Sequence, residues 1–167
     1  EGLYLDSTES ALVAFANEFN MHKKDLETKH PRVDELPFDS VRKMMSTKHS
    51  TEKGNIIFTK GALDSILTNT KEIVDGEKIR KITNEDIEKI YAANKYFSDK
   101  ALRVLALAYT NKDDIKEEDL IFVGLLAMID PAREEAKPAV ATFKTAGITT
   151  VRSTGDHKET ALAIAKD

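Results

Sequence analysis

Apolar residues recur at helical spacing at Leu12, Phe15, Ala16 and Phe19, a single stripe that predicts an amphipathic helix running to about Met21. Asp6-Ser7-Thr8-Glu9 opens it, with Asp6 as N-cap and Glu9 at the third helical position. Residues 22–36 are charged and lead into Pro31 and Pro37, which reads as an exposed connection. Two short apolar-rich segments, 44–47 and 55–59, flank a polar stretch ending in Gly54-Asn55 and predict a β-hairpin with its turn near Gly54. A short helix over 62–67 should follow Gly61. Residues 69–81 read as a loop or irregular hairpin around Asp75-Gly76. Thr83 or Asn84 caps the next helix, with Glu85 and Asp86 in its first turn and Ile87, Ile90, Tyr91 and Phe97 on one face.

Strands are predicted over 102–109 and 120–129, separated by a polar surface turn. Pro138 opens a helix carrying Val140 and Phe143, which Gly147 closes. A strand at 148–152 and a helix at 158–166 complete the pattern. The order is mixed up to about residue 119 and then runs β–α–β–α, the signature of a parallel sheet with crossover helices. Two strands of such a sheet are too few to stand alone. The expected organisation is therefore one domain over 1–120 and a truncated second one over 121–167.

Composition narrows the function more than the fold. Of the 167 residues, 41% are hydrophobic and 32% charged, with a net charge of -4 and the signs interspersed, so neither a nucleic-acid tract nor a basic membrane patch is indicated. Cysteine is absent, which excludes disulfides and thiolate metal sites. No apolar run approaches the roughly 20 residues that span a bilayer. Without an initiating Met or a signal peptide, the chain reads as a cut fragment. His22, His30, His49 and His157 show no metal spacing.

Several positions could carry chemistry. Thr154-Gly155-Asp156 joins the last predicted strand to the last predicted helix, where free N–H groups favour an anion. Asp156 and Glu159 are also spaced as a capping box, so a purely structural role is equally open. Asp130 falls at another strand end, and two carboxylates at such ends could help place Mg²⁺. Lys60-Gly61 sits where strand gives way to helix. The lysine can reach a phosphate or lie along a base, or it can simply face solvent. Phe38 could stack on a base or pack in the core. Arg103 interrupts an apolar strand and must face solvent, an acid or a bound anion.

Taken in order, the segments resemble the P-type cation-transporting ATPases, calcium-pump-like branch. Asp6-Ser7-Thr8-Glu9-Ser10-Ala11-Leu12 looks like the D-P-T-E-x-A-L start of that family's nucleotide-binding domain. Phe38-Asp39-Ser40-Val41-Arg42-Lys43-Met44-Met45-Ser46 is similar to its F-[DNS]-S-x-R-K-x-M-S block. Phe58-Thr59-Lys60-Gly61-Ala62 and Ala101-Leu102-Arg103-Val104-Leu105-Ala106-Leu107-Ala108 resemble F-x-K-G-A and L-R-x-L-A-x-A. Asp130-Pro131-Ala132-Arg133 and Thr154-Gly155-Asp156 resemble D-P-x-R and T-G-D of the phosphorylation domain. Leu63-Asp64 departs from the usual Pro-[ED] after K-G-A, and Arg152-Ser153 from two apolar residues before T-G-D.

The resemblance implies an α/β (α+β) fold, with an antiparallel sheet flanked by helices and a partial Rossmann-like segment after it. It implies an ATP site built from Glu9, Phe38, Lys43, Lys60, Gly61 and Arg103. Phe38 would stack on adenine, Lys60 would line the depth, Glu9 and Lys43 would meet the purine end or each other, and Arg103 would meet phosphates. Thr154, Gly155, Asp156, Asp130 and Arg133 would support phosphoryl transfer. The cofactors implied are ATP and Mg²⁺. The partners are the actuator, phosphorylation and membrane parts of a pump, on the cytoplasmic face of a membrane. The phosphorylated aspartate, in D-K-T-G-T, has no counterpart in the chain, so the chain alone is expected to bind ATP weakly and not to hydrolyse it. Two rivals remain open: a haloacid-dehalogenase-type phosphatase, which needs a D-x-D motif that is missing, and a non-catalytic module presenting the 84–97 helix.

Overall fold

The computed structural model describes residues 7–129 and 136–149. The expected strand at 148–152 falls largely outside them. The helix at 158–166 lies wholly outside, as do Asp6, Asp130, Arg133, Thr154, Gly155 and Asp156.

Helix α1 (Ser7–Glu18) and the short helix α2 (Lys23–Lys29) precede the sheet strands β1 (Arg32–Asp39), β2 (Met44–Thr51) and β3 (Gly54–Gly61). Helix α3 (Leu63–Thr68) leads to the hairpin of β4 (Thr70–Asp75) and β5 (Lys78–Lys81), then to α4 (Asn84–Ser98), β6 (Arg103–Thr110) and β7 (Leu120–Met128). The strands form one seven-stranded sheet in the order β1-β2-β3-β6-β7-β4-β5. All pairings are antiparallel except β4 with β7.

The helix-side face of the sheet follows the period-2 rule. Ile57, Thr59 and Gly61 alternate as buried positions along β3, in register with Thr110, Ala108 and Ala106 of β6. Small residues at 61, 106 and 108 leave room for α3 and α4, which seat Leu63, Ile66 and Ile90 against Met44, Leu120 and Phe122. Full burial of a side chain such as Ile66 or Leu120 stabilises the fold by about 1.5–3 kcal/mol. Buried Ser46 and Thr59 satisfy one another across β2 and β3 at 2.8 Å. Helix α4 begins with a full capping box, Thr83 Oγ1 accepting from the Asp86 amide while the Asp86 carboxylate accepts from the Thr83 amide.

Two expectations give way. The supposed connection over 22–36 contains α2 and most of β1, an edge strand whose charged, solvent-facing residues hide it from a hydrophobic pattern. The strand over 120–129, expected to open a separate parallel layer, lies inside the sheet between β6 and β4. Helix α5 (Ala136–Thr145) starts two residues before Pro138. It ends as expected: Gly147, at φ +73°, donates to the Lys144 carbonyl, and Ile148 donates to that of Phe143.

Candidate functional site

One end of the sheet collects the positions singled out by sequence. Asp39 at the close of β1 pairs with Met44 at the start of β2, and Met44 pairs with Gly61 at the close of β3. Gly61 pairs with Ala106, and Arg103 at the start of β6 pairs with Met128 at the close of β7. Four strands therefore bring Asp39, Met44, Gly61 and Arg103 to the same edge.

A tight turn between β1 and β2 presents Phe38 and Lys43 there. Asp39 Oδ1 accepts from the amides of Val41 and Arg42, each at 2.9 Å, and those bonds hold the Asp39 carboxyl below its ordinary value near 3.8. Lys43 adopts a left-handed conformation, φ +55°, and its amide donates to the Asp39 carbonyl at 2.6 Å. The Lys43 carbonyl then accepts from the Ala62 amide at 2.9 Å. Gly61 lies under this turn so closely that a Cβ would meet the Lys43 carbonyl oxygen at 2.4 Å and Met44 Cα at 2.9 Å. Phe38 is 63% exposed, so core packing does not explain it.

The first turn of helix α1 meets the sheet on the face opposite α3 and α4. Lys60 pairs with Met45 and Leu107, which places it on that face, and its ammonium is salt-bridged to Glu9. The Lys60 side chain is only 20% exposed, so it is not the free solvent-facing lysine that its residue type alone suggests. One residue earlier on α1, Thr8 accepts a hydrogen bond from Arg103 Nη1 at 3.1 Å. The first turn of α1 thus meets Lys60 and Arg103 together.

Behind the turn, Arg42 binds the Glu117 carboxylate, whose second oxygen accepts from Ser46 Oγ at 3.0 Å. The Glu117 partner raises the Arg42 pKa further. Arg42 Nη2 also donates to the Pro37 carbonyl at 2.8 Å. An open hollow of about 530 Å³ beside this group is lined by Arg42, Met44, Asp64, Ser65, Asn69 and Glu117, on the helix side of the sheet, away from Lys60.

Comparison with known proteins gives the constellation a family. The description of the P-type ATPase cytoplasmic domain N matches residues 3–135. Among curated proteins, Calcium-transporting ATPase 1 of Bacillus cereus is 48% identical over 97% of the chain, and Calcium-transporting ATPase 1 of Lactococcus lactis is 46% identical over the same share. The chain belongs to the P-type cation-transporting ATPases. The sodium/potassium exporting P-type ATPase cta3 of Schizosaccharomyces pombe is 36% identical over 97% of the chain. The chain spans 19% of the length of the two calcium-transporting relatives.

Within this P-type ATPase N domain, Glu9, Lys60 and Arg103 share the α1 face, and Phe38, Lys43 and Gly61 share the turn above the same sheet end. Glu9 meets Lys60 rather than Lys43, a contact that sequence spacing could not reveal. Met45 was not singled out as a site residue, although its pairing opposite Lys60 puts it on the floor of the site; alternation along β2 was the available signal. Glu117 was read as part of a solvated turn, and nothing in a polar loop sequence distinguishes a buried acid from an exposed one. Among the described residues no group of three or more His, Cys, Asp or Glu side chains gathers as a metal site, so no Mg²⁺ coordination is drawn from them. No helix among them is long and apolar enough to cross a membrane.

Proposed function

We propose that residues 7–129 bind the nucleotide of a cation pump, with ATP lying between α1 and the 37–43 turn. Phe38 stacks on the adenine, Lys60 and Met45 form the floor, and Glu9 and Lys43 meet the purine end. Arg103 meets the phosphates. The observation that carries this reading is the sheet end itself: Phe38, Lys43, Gly61, Lys60 and Arg103 converge where β7 closes and where α1 opens. A nucleotide bound there has its phosphates directed along Arg103 toward the residues that follow β7. Those residues, with Asp130, Arg133, Thr154, Gly155 and Asp156, form in this reading the first part of a phosphorylation domain, which begins after Ile129.

The chain's part in the chemistry is positioning and charge neutralisation. It holds ATP, with Mg²⁺ carried on the phosphates, while the γ-phosphate passes to an aspartate supplied elsewhere in the pump. Actuator and membrane parts complete the parent, and the N domain works on the cytoplasmic face. Calcium is the proposed cargo, a reading supported by the names of the Bacillus cereus and Lactococcus lactis relatives. The chain alone binds ATP weakly and does not turn it over.

An amide NMR titration of the chain with ATP, repeated with Phe38→Ala and Lys60→Ala, tests the site. Saturable shifts at Glu9, Phe38, Lys60 and Arg103 are expected. Each variant should weaken binding, Phe38→Ala by about tenfold given a stacking contribution of roughly 1–3 kcal/mol. Absence of shifts at millimolar ATP overturns the reading.

A further inference from the structure

The Glu117 side chain is 7% exposed although its loop is otherwise polar. Taking a carboxylate out of water is costly unless it is paired, and Arg42, 35% exposed, pairs it from the solvent side. What an ion pair adds is direction. One Glu117 oxygen receives Arg42, the other receives Ser46 Oγ at 3.0 Å, and Ser46 is itself tied to Thr59 at 2.8 Å. Arg42 reaches from this anchored acid to the Pro37 carbonyl at 2.8 Å, while its own amide is bound by Asp39 Oδ1 at 2.9 Å. The guanidinium therefore clamps the turn that carries Phe38 and Lys43, and Glu117 fastens the clamp to β2 and β3.

We propose that Glu117 is a positioning residue of the nucleotide site. Acting through Arg42, it holds the 37–43 turn so that Phe38 and Lys43 stay at the Lys60 end of the sheet. This rests on the ATP reading above and adds to it a residue that touches no ligand, since Glu117 lies on the helix side of the sheet and Lys60 on the other. The link runs through one rigid group: Lys43, at the far end of the turn, is locked onto Ala62 by its carbonyl.

The test compares the native chain with Glu117→Gln, which keeps shape and hydrogen-bonding capacity but loses the charge. Arg42→Met and the double variant complete a cycle. In the ligand-free chain, amide exchange of Val41, Arg42 and Ala62 should accelerate about fivefold or more in each variant, while amides of β6 stay as protected as in the native chain. In ATP titrations each single variant should weaken binding roughly fivefold, and the double variant should be no weaker than the worse single one. Arg42→Lys should recover part of the loss, a rescue that general destabilisation would not produce. Should Arg42→Met fail to fold, Glu117→Gln and Arg42→Lys make the same comparison.

Unchanged exchange at Val41, Arg42 and Ala62 overturns the proposal whatever ATP does. A loosened turn with native ATP affinity overturns it as well, and leaves the ATP reading standing. A native chain that binds no ATP overturns both.

Discussion

The steric demand at position 61 is absolute in a way that few others are. A methyl group there would sit 2.4 Å from the Lys43 carbonyl oxygen and 2.9 Å from Met44 Cα, both backbone atoms that cannot swing aside. Gly61→Ala must therefore lift the 37–43 turn off β3, and overpacking of this kind costs about 1–3 kcal/mol. Thermal unfolding should show the loss, and the Ala62 amide should lose protection as its bond to Lys43 breaks. Lys43 offers the converse test. Its φ of +55° suits glycine better than lysine, so Lys43→Gly should leave stability unchanged or raise it by up to about 1 kcal/mol. If the ammonium meets the nucleotide, ATP affinity falls in that same variant. A drop in binding without a drop in melting temperature assigns the lysine to the ligand. Binding unchanged from native removes it from the site. In sequence, Gly61 marked only the place where strand gives way to helix; that the Lys43 carbonyl packs onto it was not legible, because the contact is made across the β2–β3 pairing.

Helix α4 shows an element whose start is set by charge as much as by capping. Asp86 accepts from the Thr83 amide and hydroxyl at 2.9 and 2.8 Å, and Arg80 grips both its oxygens at 2.6 and 2.9 Å. Arg80 first, then the Thr83 bonds, hold the Asp86 carboxyl far below its ordinary 3.8. Asp119 before β7 is likewise lowered to about 2 by Lys112 and Lys71. Both carboxyls are depressed in the folded state, so each contributes stability fully present above the unfolded value near 3.8 and lost as pH falls toward the folded one. Melting temperature should therefore decline between about pH 4 and pH 2, less steeply in Asp86→Asn and in high salt. A pH profile identical in Asp86→Asn and the native chain would refute that account. The start of α4 was readable to within Thr83 or Asn84, as were the β2–β3 hairpin and α3, because local spacing and turn residues specify them; the structure settles the cap on Thr83. Strand β1 was not readable. Its residues Arg32 to Glu35 are solvent-exposed, and Pro37 within it is tolerated only because an edge strand can do without one ladder bond.

At the scale of the molecule, β7 ties the described sheet together. Its apolar run marks it as a buried strand, but hydrophobicity says nothing about which strands lie beside it. The β–α–β–α order that follows suggested a new parallel layer beginning at residue 120. In the fold, β7 instead joins the two halves of the sheet, antiparallel to β6 on one side and parallel to β4 on the other. Its residues Leu120 and Phe122 belong to the core shared with α3 and α4. Among the described strands β7 alone links the β4–β5 hairpin to the rest of the sheet, so removing it would strip that link and open the core beneath both helices. The parallel pairing to β4 closes a long sequence separation, a contact that short-range patterns do not carry. A chain of residues 1–120 should accordingly be unfolded or molten, with collapsed amide dispersion and no cooperative thermal transition. A chain of residues 1–135, which stops where the domain N match stops, should keep the dispersed spectrum of the longer chain and any ATP shifts with it. Cooperative unfolding of the 1–120 chain would mean that β7 is dispensable. Loss of folding in the 1–135 chain would mean that the folded unit needs residues beyond 135.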